Sequence, residues 1–245
     1  STGRITIEDP VHKFNAKADL KANGIVLDND SLGSFSGHID YDNATGALTG
    51  KGTNLDTAHR VAFNLALNVK DKEKAKDNHI SLSTYRYPVK ILERFLSELF
   101  SDLQGFVTGP IDLNGPLDNI SVTGKAKLED AGLKVNFTQC FYKILDTDVS
   151  LTPTEIDLDG IVLRDTATGN PIYLNGTIMH QSFRKMFFDL GVSTRKKGTT
   201  GDQNNKPVLL LNTSLKDNSA FYGKAFGTGS FSLTGKESDL FMQIS

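Results

Sequence analysis

Five histidines (His12, His38, His59, His79 and His180) and one cysteine, Cys140, are the side chains best equipped to hold a metal or attack a substrate. No two histidines stand at metal-ligand spacing, and neither HExxH nor C-x-x-C occurs, so zinc chemistry is disfavoured. Asp40, Asp42 and Gly46 have the look of a calcium loop. However, Ala44 takes a ligand position, the glycine comes one place late and the terminal glutamate is missing, which points to a polar hairpin turn. Cys140, between Gln139 and Phe141, matches no catalytic-cysteine signature and has no nearby histidine in sequence. A buried, inert thiol is expected. The carboxylate pair Asp157/Asp159 falls on the polar side of a strand pattern, as solvated surface does.

Glycines offer phosphate loops no better. Gly46, Gly50 and Gly52 do not fit GxGxxG, and GxxxxGK[ST] is absent. Instead Gly105, Gly109, Gly115, Gly124, Gly176, Gly223, Gly227, Gly229 and Gly235 fall within strand-like runs, where glycine marks bends, bulges or close backbone approach. Six Asn-x-Ser/Thr sequons, Asn119-Ile120-Ser121 and Asn175-Gly176-Thr177 among them, are what a Ser/Thr-rich chain gives by chance. No catalytic constellation emerges, and the sequence predicts no enzyme, cofactor or metal.

The elements that carry these residues alternate with a period of two, the signature of half-buried strands. Val61, Phe63, Leu65, Leu67 and Val69 alternate with Ala62, Asn64, Ala66 and Asn68. Ile120, Val122, Gly124, Ala126 and Leu128 face one way, with Ser121, Thr123, Lys125 and Lys127 opposite. Leu133, Val135 and Phe137 continue the pattern, as do Ile172, Leu174, Gly176 and Ile178. Near the end come Gly229, Phe231, Leu233 and Gly235, then Leu240, Met242 and Ile244. Turn chemistry separates the runs at 42–46, 114–116 and 167–171. An apolar and a solvated face on each run imply an antiparallel sheet of about a dozen strands or more, too many to stay flat and open. One stretch departs from this pattern. From Pro88 to Asp102 the apolar residues Val89, Leu92, Phe95, Leu96, Leu99 and Phe100 are spaced by three and four, predicting an amphipathic helix. The charge-rich stretch 70–77 and the Gly/Asn/Asp-rich stretch 199–206 are expected as loops.

Composition bounds the function classes. With 245 residues, 38% strongly apolar residues and 22 glycines, the chain can build a core. Lys plus Arg number 27 against 29 Asp plus Glu, a net charge of −2, with no basic stripe, so nucleic acid is not an expected partner. No apolar run approaches the ~18 residues of a membrane-spanning helix. The chain opens Ser1-Thr2-Gly3-Arg4 without Met or a signal peptide and closes inside an apolar alternation. A single β-rich segment of a longer protein is therefore expected over 1–245, with strands over 1–87, the helix over 88–102 and further strands over 103–245.

The run Leu103-Gln104-Gly105-Phe106-Val107-Thr108-Gly109-Pro110-Ile111-Asp112-Leu113-Asn114-Gly115, then Pro116-Leu117-Asp118-Asn119-Ile120-Ser121-Val122-Thr123-Gly124, resembles the glycine-spaced repeat of the TamB family. That family comprises translocation and assembly module proteins within the AsmA-like group. The likeness continues through Tyr142 to Asp146, Leu163-Arg164-Asp165 and Gly176 to Phe183. It extends through Leu210 to Thr213, Asp217-Asn218, Phe221 to Gly229 and Leu233-Thr234-Gly235, covering about 140 residues in order. Before Pro88 only the strand-rich style is shared, while a helix at 88–102 fits related proteins of the Bacteroidetes type.

The resemblance implies a curved, folded-over, mainly antiparallel sheet (a "β-taco") with an apolar groove and one amphipathic α-helix. It implies a periplasmic segment whose parent is anchored in the inner membrane of a Gram-negative bacterium. It also implies phospholipid acyl chains as cargo in outer-membrane biogenesis, and an outer-membrane β-barrel assembly protein as a partner through the parent chain. The family has no active-site residues to carry over; its inward apolar face can be carried over. The groove candidates are Val61, Phe63, Leu65, Leu67, Ile120, Val122, Leu128, Val135, Phe137, Ile172, Leu174, Ile178, Phe231, Leu233 and Met242, with Leu92, Phe95, Leu96, Leu99 and Phe100 as helix plug or core. On periodicity alone a dry sandwich core fits these residues better than a trough, because alternation does not distinguish a core from a groove. A scaffold that takes up strands at its sheet edges is a third possibility.

Overall fold

The computed structural model describes residues 2–8, 15–27, 30–97, 99–181, 185–199, 205–220, 222–236 and 239–244. His12, Ser182, Phe183, Phe221 and most of the 199–206 loop lie outside them, as do the side chains of Phe95 and Met242. The chain is all-β and mostly antiparallel, and divides into two compact units, 1–87 with 108–126 and 88–107 with 127–245.

The first unit carries β1 (Thr2–Glu8), β2 (Asn15–Leu27), β3 (Asp30–Asp42), β4 (Ala47–Asn54), β5 (Arg60–Asn68) and β6 (His79–Pro88), hydrogen-bonded in that order. Residues 108–114 of β7 (Phe100–Asn114) and 121–126 of β8 (Ser121–Val135) complete it. Local chemistry sets its turns. The β3–β4 hairpin closes on Asp42, whose carboxylate accepts the Ala44 N–H at 2.8 Å and the Thr45 hydroxyl at 2.9 Å. Gly46 supplies the required positive φ of 72°. Asp42 and Gly46 of the supposed calcium loop are thus occupied in turn formation, and Asp40 bonds His38 instead. Between β4 and β5, buried Asn54 bridges the connection, accepting the Val61 N–H and donating to the His59 carbonyl.

The second unit holds 100–107 of β7 and 127–135 of β8, then β9 (Cys140–Ile144), β10 (Thr147–Leu151), β11 (Glu155–Asp157), β12 (Ile161–Asp165), β13 (Pro171–His180) and β14 (Met186–Ser193). β17 (Ser230–Lys236) and β18 (Asp239–Ile244) extend the sheet beyond β14, while β15 (Val208–Thr213) and β16 (Gly223–Gly227) form a separate hairpin. The sequence treats 120–128 and 133–137 as two runs, yet β8 is one strand. Its apolar phase changes from even residues (Val122, Ala126, Leu128) to odd (Ala131, Leu133, Val135), and Asp130, at φ 51°, stands at the change.

The helix expected over 88–102 does not form over that span. Pro88 ends β6, Val89–Leu92 is a 3-10 turn, α1 (Glu93–Leu96) is a single α-turn, and β7 begins at Phe100. Spacings of three and four also suit one helical turn followed by a strand, and so short a helix has little stability of its own. Tertiary bonds decide the matter: Asn136 donates its N–H to the Leu99 carbonyl at 2.9 Å and its amide to the Ser97 carbonyl at 2.7 Å. Asp102 then takes φ 51°, which no α-helix accommodates. Among the described residues no helix is long and apolar enough to cross a membrane.

Candidate functional site

In the first unit, cross-strand register gathers apolar residues into rows on one face. Tyr41 pairs with Leu48 and Leu48 with Leu67; Ile39 pairs with Gly50, Gly50 with Leu65 and Leu65 with Ile80; Gly52 pairs with Phe63 and Phe63 with Leu82. Ala16, Ala18 and Leu20 of β2 extend these rows through Tyr41, Ile39 and Gly37. The opposite face carries exposed Lys17, Asp19, Lys51, Asn64 and Ser83. Val61, Phe63, Leu65 and Leu67 all lie on β5, and all are half-buried. Among the residues before Pro88 whose side chains are described, no hydrophobic one is fully withdrawn from solvent.

Gly37, Gly50 and Gly52 stand together within this apolar face, and neighbouring side chains and backbone close over the space their missing side chains leave. A Cβ at Gly52 would meet Cε1 and Cζ of Phe63 at 2.7 Å, and one at Gly50 would meet Cγ1 of Ile39 at 3.2 Å and Cγ of Leu65 at 3.5 Å. The glycines thus serve close side-chain approach.

The second unit is packed differently. Cys140, Tyr142, Val149, Ile161, Leu163, Ile172, Val208 and Leu209 form one buried cluster, with Leu128, Val135 and Leu174 against it. Ile178, Met186, Phe188 and Leu190 form another, against which Leu96, Leu99, Leu174, Leu233 and Leu240 pack. Here the inward face is a closed core. Of the groove candidates in this unit, Leu128, Val135, Ile172, Leu174, Ile178 and Leu233 belong to these clusters. Phe231 is half-buried, paired with Val192. Phe137 departs from expectation: it is 55% exposed in the turn after β8, because the strand stops at Val135 and Gln139, at φ 55°, folds its N–H back to the Val135 carbonyl. Of the remaining candidates, Val122 is buried and Ile120 half-buried in the first unit. Leu92 is 43% exposed and Phe100 half-buried in the second.

Titratable groups are engaged structurally. His38 Nδ1 stands 2.7 Å from Asp19 and Nε2 2.9 Å from Asp40; the hydrogen bond to Asp19, then that to Asp40, raises its pKa above the usual histidine value. Burial pushes the Cys140 thiol up and keeps it protonated. Asp159 accepts the Gly176 N–H at 2.6 Å, and its own N–H bonds the Asp157 carboxylate. Among the described residues, no group of three or more His, Cys, Asp or Glu is placed to hold a metal ion.

Several important residues escape the sequence patterns. Asp165 is fully buried, accepting the N–H groups of Ala167, Thr168 and Leu209 and the Thr168 hydroxyl. Tyr142 donates its hydroxyl to the Leu209 carbonyl at 2.7 Å. These bonds fasten β15 to the larger cluster across long sequence separations, which no local signal encodes. Met186, Phe188, Leu190 and Val192, by contrast, alternate plainly and could have been found by periodicity. No family model, curated protein or solved structure matches the chain.

Proposed function

We propose that this chain shelters lipid acyl chains on the apolar face of its first unit, as a non-enzymatic segment of a lipid-handling envelope protein. The observation that carries this reading is the half-buried apolar face formed by Ile39, Leu48, Phe63, Leu65 and Leu82, while the second unit closes its own apolar face as core. Acyl transfer needs such a surface. Burying a methylene contributes about 0.8 kcal/mol, so a chain of ~16 carbons needs on the order of 12 kcal/mol of apolar contact to leave a bilayer. Strands β2 to β6 span roughly 19 Å at about 4.8 Å between neighbours, and a nine-residue strand such as β5 runs about 30 Å. That area can accept a chain lengthwise.

The resemblance to the TamB family supports the same reading, adding phospholipid cargo, a folded-over sheet forming a groove, a periplasmic setting and a role in outer-membrane biogenesis. The competing scaffold reading draws on β16, which pairs with β15 and is exposed from Gly223 to Phe226, an edge suited to strand addition. Native mass spectrometry of protein extracted without detergent tests the primary proposal. Co-purifying phospholipid, lost in Leu65→Asp while the far-ultraviolet circular dichroism is kept, supports it. Lipid-free protein, or lipid retained by Leu65→Asp, overturns it.

A further inference from the structure

Among the described residues of 89–103 in the second unit, the two ends are sunk and the middle is shallow. Val89 is 5% and Leu103 8% exposed, whereas Leu92 is 43% exposed. Leu96 and Leu99 rest, half-buried, on the cluster of Ile178, Met186, Phe188 and Leu190. Polar fastenings hold the middle of this stretch. Asn136 donates to the Ser97 and Leu99 carbonyls, the Ser101 hydroxyl donates to Asn136 Oδ1 at 2.6 Å, and Glu93 Oε2 accepts the Leu103 N–H at 3.2 Å. One residue, Asn136, therefore takes part in three of the four bonds.

We propose that this stretch is a strap that occupies, as an internal ligand, an acyl-chain site of the second unit, with Asn136 as its latch. Buried Val89 and Leu103 act as fixed ends, Leu103 within β7, so the stretch before Phe100 can lift without unfolding the sheet beneath. The surface it covers is aliphatic and aromatic, formed by Ile178 opposite Phe188 and Leu190 opposite Leu233, with Leu240 opposite Gly235 at its margin. A ligand that replaces two leucine side chains there must be slender and apolar, as a single acyl chain is. The ligand class rests on the function proposed above; the strap and its latch rest on the contacts just described.

The test compares wild type, Asn136→Ala and the milder Ser101→Ala for binding of cis-parinaric acid and for hydrogen exchange at residues 96–99. Loss of the Asn136 side-chain bonds should raise the strap's opening equilibrium on the order of tenfold or more. Exchange at 96–99 should then quicken by that factor, and an additional acyl site should appear, with Ser101→Ala intermediate. A folded Asn136→Ala that binds no more probe than wild type overturns the strap proposal, even where wild-type binding upholds the first-unit reading. Probe binding by Asn136→Ala when wild type binds none sustains the strap and refutes the first-unit site. Should Asn136→Ala lose its fold, Ser101→Ala decides alone: unchanged exchange and binding overturn the proposal, faster exchange with added binding supports it.

Discussion

The ring of Phe63 on β5 lies against Gly52 on β4, so near that a Cβ at position 52 would meet the ring edge at 2.7 Å and the Ser36 carbonyl at 2.9 Å. Glycine there lets the bulky Phe63 ring of the first unit's apolar face lie down over its neighbour strand. Gly52→Val is expected to destabilise the protein by about 1–3 kcal/mol through overpacking. A lowered urea midpoint at unchanged m-value would show it; an unaltered midpoint would mean the ring has room to move away.

Phe188 and Phe137 should behave as opposites. Phe188 is 1% exposed inside the second unit's core, and Phe137 is 55% exposed in a turn. Phe188→Ala should cost about 3–5 kcal/mol, and Phe137→Ser no more than about 0.5 kcal/mol. Equal losses in denaturant titrations would contradict this assignment of core and surface.

Asp165 joins the β12–β13 turn to β15 by accepting the Leu209 N–H at 2.9 Å while fully buried. Asp165→Ala leaves several buried donors without an acceptor, each costing about 1–3 kcal/mol. Amide exchange at Leu209 should rise well above that of Ile178, which stands in the other cluster. Unchanged protection at Leu209 would show that β15 is held by packing alone.

His38, between Asp19 and Asp40, has its pKa raised chiefly by the hydrogen bond to Asp19. A group whose folded pKa exceeds its unfolded value contributes stability that is complete below about pH 6.5 and is lost as pH rises through the folded pKa. Stability should therefore decline as pH climbs above 6.5, and His38→Asn should flatten that decline. NMR titration of the ring giving a pKa at or below 6.5 would refute the arrangement.

Much of the fold was legible in the residues. The alternation at 61–69 became β5, the polar turn at 42–46 formed the β3–β4 hairpin, and the buried thiol expected at Cys140 lies in the core. What eluded sequence reasoning depended on partners distant in the chain. The apolar spacing at 88–102 fits a helix until Asn136, more than thirty residues on, captures the carbonyls of Ser97 and Leu99. Phe137 continued a period that ended with its strand at Val135. Above all, alternation marks an apolar face without saying what covers it. Leu65 and Leu174 look alike in sequence, yet Leu174 packs against two buried clusters and Leu65 lies on a strand whose apolar side chains are only half-buried.

Site-specific photo-crosslinking inside the living cell envelope tests the central claim most directly. A photoreactive residue is placed in turn at Phe63, Leu65, Asn64 and Phe188, and adducts are identified by mass spectrometry. The account predicts phospholipid adducts from positions 63 and 65, none from Asn64 on the opposite face of the same strand, and none from Phe188 in the closed core. Lipid adducts from Asn64 as readily as from Leu65, or none from positions 63 and 65, would contradict it.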